Sequence, residues 1–112
     1  MTPLHIRFSN HALNERADRI AYIATTIGFG EIIARKLVED KRGKAMRLLT
    51  DTGVIIVTDI HEECILTMWI ANPTQVKDFY PEGVRNQAVL RLVKKYMEKG
   101  YQNEQDKQKK GN

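Results

Sequence analysis

Residues 44–71, KAMRLLTDTGVIIVTDIHEECILTMWIA, constrain this chain more than any other stretch. Three apolar runs are separated by two short polar breaks, Asp51-Thr52-Gly53 and His61-Glu62-Glu63. Gly tolerates positive φ and Asp can bond its own backbone, so these breaks suit tight reversals. The runs are rich in Val, Ile, Leu, Thr and Trp, which favour a pleated surface. Connections this short join only antiparallel neighbours, so the segment predicts a three-stranded meander. The runs at 54–57 and 64–70 barely alternate, which predicts cover on both faces, or on one face plus a partner.

The rest of the chain is expected to supply that cover. Residues 4–8 alternate apolar and polar and read as a short edge strand. Ser9 and Asn10 are good helix caps, because their side-chain oxygens accept from free amides. A helix is expected over 10–26, with Leu13, Ala17, Ile20, Ala24 and Ile27 as its apolar stripe. A second helix is expected over 31–41, with Ile33 and Leu37, or these with Val38, inward and Arg42-Gly43 as its C-terminal stop. After the meander, Asn72-Pro73 predicts a short helix to about residue 80. A last helix is expected over 84–99, buried through Val89, Leu92, Val93 and Tyr96 or through Ala88, Leu92 and Tyr96. The fold class is therefore α+β: an antiparallel sheet of three or four strands, packed by N-terminal and C-terminal helices. Residues 1–100 are expected to form one domain, and 101–112 a disordered charged tail.

No apolar run approaches the roughly 20 residues of a membrane helix, and the start, MTPLHIR, lacks a long apolar stretch. With one cysteine, Cys64, no internal disulfide can form. A cytoplasmic protein without membrane association is the expectation. The net charge is +4, concentrated in Arg35, Lys36, Lys41, Arg42, Lys44 and Arg47 against Glu39 and Asp40. Such a segment can attract a polyanion. These six residues are the candidate nucleic-acid contacts, and a solvated helix end and loop is the plainer alternative.

Signatures of nucleotide-binding loops, serine hydrolases, zinc ribbons and zinc proteases are absent. The three histidines lack metal-ligand spacing, so neither a metal nor another cofactor is expected. His11, at the start of the first predicted helix, shares a helical side with Glu15, Asp18 and Tyr22, whereas Arg16 lies about 140° round the wheel. His11 has the chemistry of an acid or base, or of a surface histidine in an ordinary pair. Arg47 can hold phosphate with its planar fork. Thr67 and Thr58 are expected to bond each other across the sheet. Trp69 reads as core or as a stacking platform.

Phe8-Ser9, His11-Ala12-Leu13, Glu15-Arg16 and Ile65-Leu66-Thr67-Met68-Trp69 resemble motifs of the barnase–EndoU–colicin–RelE superfamily of small bacterial and phage nucleases and toxins. The resemblance spans about residues 6–71. It implies a helix-plus-antiparallel-sheet fold with a metal-free site on the sheet's open face. It also implies His11 as acid or base, Arg16 and Arg47 on phosphate, and Thr67 beside them. Here Arg16 is followed by Ala17-Asp18-Arg19 where the family turns on glycine, and no second catalytic histidine stands out. The reading that follows is a small basic, phage-encoded protein that engages nucleic acid, RNA before DNA, or a nucleic-acid-binding partner, without catalysis. The alternatives are a toxin-type, metal-independent endoribonuclease using His11, Arg16 and Thr67, and a homo-oligomeric interaction module, such as a homodimer.

Overall fold

The structure, a computed structural model, describes residues 7–15 and 17–104, with the side chains of Arg7, His11 and Glu15 outside the description. The elements run β1 (Arg7–Phe8), α1 (Asn10–Glu15), α2 (Ala17–Thr26), β2 (Ile32–Asp40), β3 (Gly43–Thr50), β4 (Val54–Thr58), β5 (Cys64–Ile70), α3 (Pro73–Lys77) and α4 (Gln87–Glu98). The meander forms as expected, and a fourth antiparallel strand precedes it. The sheet order is β1-β5-β4-β3-β2, with β1 parallel to β5 at one edge. The fold is α+β, with four antiparallel strands and helices. Of the expected edge strand 4–8, only residues 7 and 8 lie within the described residues.

The fourth strand replaces the helix expected over 31–41. Ile33 and Leu37, four apart, mimic a helical stripe, yet they are 41% and 55% exposed. Ile32, Ile33 and Val38 are β-branched, and β2 runs antiparallel to β3, from Ile32 opposite Thr50 to Asp40 opposite Gly43. Gly43 is the hairpin residue rather than a helix stop. It takes φ +118°, and Asp40 Oδ1 accepts from the Arg42 amide at 2.8 Å to shape the turn. Backbone pairing along a whole strand outweighs a two-residue coincidence of spacing.

The expected first helix is described as two segments on either side of residue 16. Ser9 Oγ caps the first by accepting from the Ala12 amide at 2.9 Å. The buried positions are Ala12, Arg19 and Ile23, with Ile20 and Ile27 partly covered; Leu13 is 52% exposed. The inward face is thus rotated from the expected stripe. α3 begins at a capping box, in which Asn72 and Gln75 bond each other's backbone amides. α4 buries Val89, Leu90, Val93 and Tyr96, close to the first of the two expected registers. Residues 101–104, expected within the tail, make another helical turn. Tyr101 stacks on Tyr96 at 5.5 Å, and Gln102 donates to the Ala71 carbonyl. These polar and aromatic contacts give the turn a docking surface that composition does not show. Residues 105–112 lie outside the described residues.

Cross-strand register divides the sheet into two faces. One carries Leu48, Ile56 and Met68, all fully buried. The other carries Leu49, Ile55 and Trp69 in one rung and Lys36, Arg47, Val57 and Thr67 in the next. α3 is tied to this second face: Trp69 Nε1 donates to Gln75 Oε1 and Lys36 Nζ to the Asp78 carbonyl. The layer over the first face is therefore α1–α2, which packs on β5 and whose exit at Gly28 and Phe29 accepts from Thr52 Oγ1. α4 closes the β3–β4 end, where Tyr96 donates to the Thr52 carbonyl at 2.9 Å. The half of the second face toward the β2–β3 turn stays open, with Lys36 and Arg47 exposed there.

Candidate nucleic-acid interface

The open face is built by one rung across four strands. Lys36 on β2 stands opposite Arg47 on β3, Arg47 opposite Val57 on β4, and Val57 opposite Thr67 on β5. Directly opposed residues share a face, so two cations sit side by side with a hydroxyl two strands away. Strand spacing sets the Arg47 and Thr67 backbones roughly 10 Å apart. The Arg47 guanidinium lies over the Trp69 ring, 5.7 Å from its centroid. The ring in turn is held at its nitrogen by Gln75, whose oxygen also accepts from the Asn72 amide. Gln75 thus links the helix cap to the aromatic platform.

Thr67 does not bond Thr58. A bulge shifts the register between Val57 and Thr58, so Thr58 stands opposite Ile65, and its hydroxyl donates to the Asp59 carbonyl. The Thr67 hydroxyl is buried and has no hydrogen-bond partner among the described residues. An unpaired buried hydroxyl costs about 1–3 kcal/mol, so its presence is a local expense of the fold.

The six cations of 35–47 do not form one surface. Period-two alternation puts Lys36 and Arg47 on the open face and Arg35 and Lys44 on the opposite one, with Lys41 and Arg42 at the hairpin tip. Arg35 is already engaged, its Nε donating to both Glu62 carboxylate oxygens at 3.0 Å. The expectation of a single basic patch at a helix end fails with the helix that carried it. A convergence of His11, Arg16, Arg47 and Thr67 also belongs to the expected site. Arg16 and the His11 side chain lie outside the described residues, so only Arg47 and Thr67 are placed together.

Sequence reasoning passed over a second cationic group. Arg91, Lys94 and Lys95 fall at i, i+3 and i+4 on the outer side of α4, where with Ala88, Leu92 and Glu98 they line a shallow depression of about 400 Å³. The spacing was legible once the helix bounds were known. Among the described residues no group of three or more His, Cys, Asp or Glu comes together to hold a metal ion, and no helix is long and apolar enough to cross a membrane. No family model, curated protein or solved structure matches this chain.

Proposed function

We propose that the protein binds single-stranded RNA on the open half of its sheet without cleaving it, in the cytoplasm. The observation that carries this reading is the Arg47 guanidinium lying over the Trp69 ring, 5.7 Å from its centroid, beside Lys36. An open sheet face with a planar cation beside an aromatic ring suits splayed bases, while Lys36 attracts the phosphate chain. Double-stranded nucleic acid fits this arrangement less well, because its bases are already stacked.

The test uses the chain's single tryptophan as reporter. Titration with a single-stranded oligoribonucleotide should change Trp69 fluorescence, with affinity falling as salt rises. Arg47→Ala and Lys36→Ala should each reduce the log–log salt slope by about 0.7. Absence of binding at low salt, or slopes indifferent to both substitutions, would refute the reading.

A second reading, metal-independent cleavage through attack of the ribose 2′-hydroxyl, has one observation in its favour: Thr67 and Arg47, both site positions in the resembled family, share one rung. In that scheme Arg47 stabilises the charge of the pentacoordinate phosphate, Arg16 assists, and His11 moves the proton. Intact RNA after prolonged incubation with the wild-type protein would exclude it. Cleavage lost in His11→Ala would replace the binding reading with it.

A further inference from the structure

We infer that two copies of this chain associate through antiparallel pairing of their β2 strands, extending the sheet across a two-fold axis. β2 is the longest described strand of the sheet and lies at its edge, so its outer N–H and C=O groups meet no other strand among the described residues. Natural edge strands are usually short or covered, because an open edge recruits another strand. This one is nine residues long and also exposes Ile33 and Leu37.

The sequence of β2 is complementary to its own reverse in one register. A two-fold axis through Leu37 sets Leu37 against its copy and Arg35 against Glu39 of the second copy, twice by symmetry. All three side chains lie on the same face, since they alternate along β2. Leu37 is 55% exposed, so the central pair buries apolar surface that the single chain leaves in water. Glu39 makes no ion pair among the described residues, and Arg35 uses only Nε toward Glu62, leaving its terminal nitrogens for a second carboxylate. Neighbouring even registers are poorer. An axis through Arg35 or Lys36 opposes like charges, and one through Val38 sets Lys36 against Asp40 but leaves Leu37 facing Glu39. Charge and apolar matching together select the second copy as occupant. The pairing would also make the two open faces continuous, with Lys36 of each copy opposite Val38 of the other at the seam and Arg47 one strand away from it.

Sedimentation or light scattering over about a hundredfold concentration range should show a reversible monomer–dimer equilibrium. Leu37→Lys, at an exposed position, should give a folded monomer. Arg35→Glu should weaken the dimer about tenfold or more, and Arg35→Glu/Glu39→Arg should restore it, because the swap recreates both pairs. In a Cys64→Ser background, Leu37→Cys should form an intermolecular disulfide, since directly opposed residues have Cα atoms about 5 Å apart. Glu39→Cys should not, its copies lying about 13 Å apart along the strands. Circular dichroism checks that each variant is folded. A wild-type monomer at every concentration overturns the inference. So does a dimer that survives Leu37→Lys, or that cross-links equally through position 39.

Discussion

Replacing Thr67 by Val should make this protein more stable. The side chain sits on β5 with its hydroxyl buried and unpaired, at the end of the rung that begins with Lys36. Desolvating a hydroxyl without a partner costs about 1–3 kcal/mol, which the folded state bears and the unfolded state does not. Valine keeps the branched shape, the volume and the strand preference, and replaces the hydroxyl with a methyl that needs no partner. Repacking takes back part of the gain, leaving about 1 kcal/mol. For a chain of this size that raises the thermal midpoint by about 4 °C and the urea midpoint by about 0.5–1 M. Urea unfolding followed by Trp69 fluorescence, two residues away, measures it directly. RNA affinity should stay close to that of wild type, because the hydroxyl is buried and Arg47, Lys36 and Trp69 are unchanged. A variant destabilised by more than about 0.5 kcal/mol would show that the hydroxyl has a partner in the folded chain and is not an uncompensated cost. A stabilised variant with markedly weaker RNA binding would show that the hydroxyl reaches the ligand after all.

Four further outcomes test the fold that positions the site. Ile56→Ala, fully buried at the centre of the closed face, should cost about 3–4 kcal/mol in urea unfolding, with a cavity left between Leu48 and Met68. Gly53→Ala should cost about 2–4 kcal/mol, since φ is +84° and the new Cβ would lie 2.7 Å from Val93 Cγ1 on α4. Gly28→Ala, also at positive φ but with open space around it, should cost only about 1 kcal/mol by the same assay. Asp59 has its pKa pushed below the ordinary value of 3.8: partial desolvation opposes ionisation, but amide bonds from Cys64 and Glu63 and the nearby His61 charge outweigh it. A lowered folded pKa stabilises above the unfolded value and is lost as pH falls through the folded one. The stability of wild type should therefore drop below pH 3.8, and Asp59→Ala should flatten that acid limb while lowering stability at neutral pH.

Much of the architecture was legible because its signals are local. Asp51-Thr52-Gly53 turns the chain at the β3–β4 junction, and Asn72 with Gln75 starts α3 through bonds spanning three residues. Runs of branched side chains in β4 and β5 announce strands regardless of what lies beyond them. β2 was not legible, because Ile33 and Leu37 fit a helical period and only pairing with β3 decides between the two. Nor was the bulge that sends Thr58 opposite Ile65 and leaves Thr67 without a partner.

The candidate site divides in the same way. That Arg47 and Thr67 carry suitable chemistry is a property of their residue types, visible in the bare chain. That they share one face with Lys36, while Arg35 and Lys44 turn to the other, follows from strand alternation once the register is set. The order of residues thus determined a β-rich centre, its turns and its caps, since short-range bonds and steric preference act within a few positions. Tertiary structure alone decided which cations meet, because that depends on hydrogen-bond ladders between segments tens of residues apart.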